Sequence, residues 1–152
     1  MIARTLAALA LVAASPAVAQ NDVDDLFAGV GVEWGWMINE VKDVFPGGAT
    51  SMINATDFNY ELNDPRPIFG LDRTGGDRVS FGFVDGALGN MRIHFPDCAA
   101  LATAVRKFVG PPDVPGETVG DAATLLGTWQ GSTVTLTATN VIDCVLIVTR
   151  PL

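Results

Sequence analysis

The chain has 152 residues, a formal net charge of −8, a hydrophobic fraction of 49%, two cysteines and a single histidine. Acidity of this degree repels phosphate backbones and anionic lipid, which argues against nucleic acid and membrane surfaces as partners. One histidine with no C-x-x-C or H-x-x-x-H spacing gives no metal set, and no cofactor-binding signature is present.

The first residues, "MIARTLAALALVAASPAVAQ", carry Arg4, an apolar run from Leu6 to Ala14 and the small-residue end Ala17, Val18, Ala19. This pattern predicts a secretory signal over 1–19, cleaved to leave one domain over 20–152. The apolar run is shorter than the ~20 residues that span a bilayer. The expectation is a periplasmic or secreted protein without membrane insertion. No cysteine follows the cleavage site, which argues against a lipid anchor. Asn21–Phe27, "NDVDDLF", is acidic and reads as either a helical turn or a frayed end.

In "VEWGWMINEVKDVFPGG", Val32–Gly48, the residues Met37, Val41, Val44 and Phe45 fall on one helical face, and Asn39, Glu40, Lys42 and Asp43 take the other. Pro46, Gly47 and Gly48 end the helix. A turn at Gly35 lets Trp36 close the core beside Met37, and the position of Trp34 stays open.

Alternation then predicts strands. Phe58, Tyr60 and Leu62 alternate with polar neighbours, as do Val79, Phe81 and Phe83, and Met91, Ile93 and Phe95. Asp85–Gly86 turns the chain between the last two. Pro65–Asp77 reads as a long loop with a short strand at Ile68–Leu71. A second helix is capped by Asp97, presents Cys98, Leu101, Ala102, Val105, Phe108 and Val109 on one face, and stops at Gly110, Pro111 and Pro112. The endings "VKDVFPG" and "VRKFVGP" suggest an internal helix–hairpin pseudo-repeat. Val134, Leu136 and Ala138 alternate with Thr133, Thr135, Thr137 and Thr139, and "CVLIV", Cys144–Val148, is apolar on both faces and so central.

These elements predict an α+β, two-layer sandwich in which two helices cover one face of an antiparallel sheet. The other face stays wet and carries Asn90, Arg92, His94, Thr133, Thr135 and Thr137. Trp129 has the parity of the threonines if its strand runs unbroken, whereas a bulge at Gly131 would reset the register; the unbroken strand makes it the candidate anchor of an interface. Cys98 and Cys144 form a disulfide in preference to two free thiols, since an oxidising compartment seldom leaves an even pair open.

The combination of "WG" before a helix ending in "FPG", then "VSFGFVDGALGNMRIHF", a helix ending in "VGPP" and "TWQGSTVTL" resembles small exported domains of the BLIP-like and SmpA/OmlA (BamE-like) kind. That resemblance implies helix-then-hairpin units packed as helices on an antiparallel sheet. It also implies action by contact with other proteins through the open sheet face. Met37 departs from the capping Ser or Thr of such helices, and the lipobox cysteine of the lipoprotein members is absent.

Other chemical signals are weaker. Asp57, Asn59 and Glu61 imitate an EF-hand start, but Leu62 stands where that loop needs glycine. Gly29, Gly31 and Gly35 lack the strand context of a phosphate cradle. Glu33, Glu40 and Asp121 are surface charges by default, and "NAT", Asn54–Thr56, is a minimal sequon. In "HFPDC", Cys98 at a helix start with His94 four residues upstream is the pattern of an activated thiol. Alternation argues against it by putting the sheet between them. The leading expectation is therefore an exported, non-enzymatic protein-binding module with a protein partner of unknown identity. The alternatives are a thiol-dependent enzyme or redox protein centred on Cys98, and a structural envelope protein.

Overall fold

A computed structural model describes residues 22–119, 122–141 and 143–151. The predicted signal at 1–19 lies outside the described residues. Among the described residues there are three helices: α1 (Val23–Ala28), α2 (Ile38–Val44) and α3 (Cys98–Val109). The described residues also form eight strands, β1 (Ala49–Met52), β2 (Phe58–Asn63), β3 (Arg78–Val84), β4 (Ala87–His94), β5 (Val114–Val119), β6 (Ala122–Gln130), β7 (Thr135–Thr139) and β8 (Val145–Thr149). They form one sheet in the order β1-β2-β3-β4-β8-β7-β6-β5, with every pair antiparallel. The chain is thus a mixed α+β protein.

The order mirrors itself about the β4–β8 contact, because two four-strand meanders meet through their last strands. β8 therefore has neighbours on both edges, which is where a strand apolar on both faces belongs. β1, β5 and β6 were not foreseen. β1 is short and wholly exposed, and β5 and β6 carry too much Gly, Pro and Thr to show a period-two signal.

One register row runs through the sheet as Tyr60, Phe81, Met91, Val148, Leu136 and Trp129, each no more than 1% exposed. The next row on that face is Val79, Ile93, Leu146 and Ala138, and Val41, Leu101 and Val105 of the helices belong to the same core. α3 lies against β6 and β7, and the Phe45 ring at the end of α2 meets Phe81 at 4.9 Å. Tyr60 fastens that end to the sheet: its hydroxyl donates to the Phe45 carbonyl at 2.6 Å and accepts from the Gly48 N–H at 2.8 Å. Glycine is needed at 48, since a Cβ there would stand 2.6 Å from the Tyr60 ring.

Local signals explain the helix ends. Asp97 accepts the N–H groups of Ala99 and Ala100, and Gly110 closes α3 at φ +92°. α2 has no side-chain cap from Met37, so Glu40 reaches back to the Met37 N–H at 2.7 Å. Met37, expected on the apolar face, is 63% exposed, because it precedes the first helical turn and helical spacing does not apply to it.

Residues 64–77 form the expected loop, with an isolated bridge between Ile68 and Leu71. Arg73, fully buried, holds it down. Its guanidinium donates to the carbonyls of Asp64, Arg66, Arg78 and His94 at 2.7–3.3 Å. Its cationic plane also lies over Phe95 at 5.4 Å.

Cys98 and Cys144 are joined in a disulfide with Cα atoms 5.3 Å apart, tying the first turn of α3 to the entry of β8. A disulfide fits a non-reducing compartment. Among the described residues no helix is long and apolar enough to cross a membrane.

Candidate functional site on the open sheet face

Residues between the buried rows point to the other face. One row reads Asn59, Gly82, Asn90, Thr149, Thr135 and Gln130, and the next reads Glu61, Ser80, Arg92, Ile147, Thr137 and Thr128. His94, Val145 and Thr139 continue the same face. Asn90, Arg92, His94, Thr135 and Thr137 therefore stand together, as alternation requires.

Two expected members do not join them. Trp129 lies directly opposite Leu136, is 1% exposed, and donates its indole N–H to the Gly110 carbonyl at 2.9 Å. The condition for that parity, an unbroken strand, is not met: the chain makes a hairpin, turning at Gly131–Val134 with the Gly131 N–H on the Val134 carbonyl. Pairing across that turn sets Trp129 with even-numbered Leu136, not with the threonines. Thr133 sits in the turn, outside the strand. Its N–H and hydroxyl bond to Asp24 at 2.9 and 3.0 Å. Asp24 also accepts the Ser132 N–H, and although burial alone would raise its pKa, these donors, Thr133 foremost, hold it below the ordinary carboxylate value.

The tryptophans at 34 and 36 are both half-buried. Trp34 stacks on Phe27 with centroids 4.3 Å apart and donates its indole N–H to the Thr133 carbonyl, so α1 and the 131–134 turn are held by the same residues. Trp36 pairs through its carbonyl with the Leu88 N–H and packs on the core.

The open face dips to a groove of about 370 Å³. Ser80, Val145 and Ile147 floor it, with Glu61, Arg78, Arg92, His94 and Thr139 around them. Ser80 donates to Glu61 at 3.3 Å. At one end Arg78 donates its Nε–H to His94 Nε2 at 3.1 Å and pairs with Asp143 at 3.1 Å, while His94 Nδ1 lies 3.7 Å from Asp143. Burial, then the Arg78 charge, push the His94 pKa below 6.5 against the pull of Asp143. The imidazole is accordingly neutral at neutral pH, which leaves a ring nitrogen free to accept from Arg78. Arg92 is exposed and makes no ion pair among the described residues.

Arg78 and Asp143 escaped the sequence reading. Arg78 has the parity of Ser80 and could have been found from it, whereas Asp143 lies in a turn where no period operates. His94 lies on the open face and Cys98 packs against the core on the other, as alternation requires, and the two meet only at the sheet's end, where both line a broad cleft of about 840 Å³ at the passage from β4 into α3. Cys98 offers no thiolate there because its sulfur is bonded to Cys144. Asp57, part of the EF-hand imitation, holds a turn by accepting the Asp85 N–H at 2.9 Å. Among the described residues no cluster of three His, Cys, Asp or Glu side chains converges. In comparisons with family models, curated proteins and solved structures, nothing matches the chain.

Proposed function

We propose that the chain is an exported, non-enzymatic binding module that engages a protein partner through the open sheet face. The observation that carries this reading is Arg92: an exposed guanidinium with no ion pair among the described residues, in register between Ser80 and Ile147 on a face shared with Asn90, His94, Thr135 and Thr137. An unpaired charge beside partly exposed aliphatic surface is the make-up of an interface anchor. Arg92 and Ile147 take the anchor role first assigned to Trp129.

The signal-like segment at 1–19 and the disulfide support a periplasmic or secreted location. Each four-strand meander follows a helix, which supports a duplicated helix-plus-sheet unit with α2 and α3 covering the same face. It also supports the likeness to BLIP-like and SmpA/OmlA domains, and an inhibitor is the form of binding module that likeness favours.

The test pairs Arg92→Glu with Thr137→Arg and uses the mature domain as bait in the extracytoplasmic fraction. Wild type should retain a protein that the double variant releases, with both melting at the same temperature. Equal retention by the double variant, or none by wild type, removes the open face as the interface.

A further inference from the structure

On the opposite side of the sheet from the groove, a partly enclosed cavity of about 120 Å³ lies under the irregular segment 64–71. Val79, Met91 and Ile93 floor it, Phe45 and Val30 wall it, and Pro67 and Ile68 roof it. A second hollow of about 200 Å³ shares Gly29, Val30, Pro67 and Ile68 with the first and opens past Phe69 and Phe108. The space exists for a physical reason. α3 lies over β6 and β7 while the end of α2 packs on Phe81 and Tyr60, so the part of β3 and β4 between them is roofed by the segment 64–71, whose two prolines and one glycine keep it out of regular secondary structure.

The roof is fixed rather than draped. Arg73 binds its base to the sheet through four carbonyls. At its tip Phe69 holds φ +56° beside Gly70 at +73°, with the Leu71 N–H on the Ile68 carbonyl. A bulky residue in the left-handed region is uncommon and persists only where its surroundings fix it. That turn brings the Phe69 ring edge-on to Phe108 at 5.8 Å, at the mouth of the second hollow.

The charged groups on the cavity wall are already engaged. Arg66 pairs with Asp64 at 2.7 Å and lies over the Phe45 ring at 4.1 Å. Among the described residues no buried side-chain nitrogen or oxygen lacks a partner. With Arg66 neutralised by Asp64 an anionic guest finds no free counter-charge, and Asp25, at the rim of the second hollow, already accepts the Asp22 N–H at 3.3 Å, so an uncharged guest gains chiefly by contact with Val30, Phe45, Ile68, Val79, Met91 and Ile93. An apolar cavity of about 150 Å³ stays dry and accepts benzene, which sets the scale.

We propose that the cavity under residues 64–71 binds an uncharged apolar molecule the size of one aromatic ring, admitted between Phe69 and Phe108. The site is separate from the open face and does not depend on a protein partner. The test titrates toluene into the full disulfide-bonded protein and follows methyl resonances together with thermal melting. Saturable shifts at Met91 and Ile93, none at Val145 and Ile147, and a rising melting temperature are expected. Val30→Phe, which fills the junction of the two hollows, should weaken toluene binding at least ~10-fold. Should that variant fail to fold, xenon on the wild type serves instead, with a saturable shift at Met91 expected. Overturning results are shifts that grow without saturating on both faces, undiminished binding in a folded Val30→Phe, or no xenon response.

Discussion

Trp129 and Leu136 face each other across β6 and β7, both buried, so the aromatic that looks from its position in the chain like a surface anchor is the end of the central core row. Replacing it opens a large cavity and leaves the Gly110 carbonyl without its indole donor. Trp129→Ala should therefore lose about 3–5 kcal/mol of stability, read as a fall in melting temperature or denaturant midpoint. An unchanged melt would contradict its burial.

Arg73 is the base of the 64–77 loop. Burial lowers its pKa, and the carboxylates of Asp64 and Asp77 pull it back up. Arg73→Met removes every donor to four carbonyls and should cost about 3 kcal/mol, with proteolytic nicking appearing first within 64–77. Arg73→Lys should not restore wild-type stability, because an ammonium cannot reproduce the planar fork that serves carbonyls on three sides.

The Cys98–Cys144 bridge closes a loop of sequence separation 46. Chain entropy assigns such a closure roughly 4 kcal/mol. Cys98→Ser with Cys144→Ser, or reduction of the wild type, should lower the denaturant midpoint by a corresponding amount. Thiol titration before reduction should find no reactive sulfur.

His94 is the only histidine, so its titration is unambiguous in proton spectra. Its folded pKa lies below 6.5, for burial first and the Arg78 guanidinium second disfavour the cation. The unfolded chain then binds protons more readily, and stability rises with pH. The contribution of the neutral ring is complete above about 6.5 and declines as pH falls toward the lowered folded value, below which both states are protonated. Arg78→Gln should raise the His94 pKa toward its ordinary value, since Asp143 remains to favour the imidazolium. A pKa left in place by that substitution would show that burial alone sets it.

Much of the site was legible because a strand has period two. Asn90, Arg92 and His94 alternate with Met91 and Ile93, and Thr135 and Thr137 with Leu136 and Ala138, so the face of each follows from its neighbours. The groove's far end was not legible. Asp143 meets Arg78 across 65 positions of chain, through a turn that carries no pattern. The 131–134 hairpin inverted the parity of Trp129 in the same way, since Gly131 marks an irregularity without saying whether the strand bends or reverses.

The sequence by itself determined the two longer helices, five of the eight strands, the pairing of the two cysteines and the polar identity of one sheet face. These follow from local spacing, capping and cysteine count, which act between near neighbours or leave few alternatives. Only the tertiary structure decided that β4 and β8 meet at the sheet's centre, that Asp24 of α1 holds a turn 108 residues away, and that Trp129 is core. Those outcomes depend on which distant segments bury each other's apolar surface and satisfy each other's backbone groups, a competition among long-range contacts that no local period encodes.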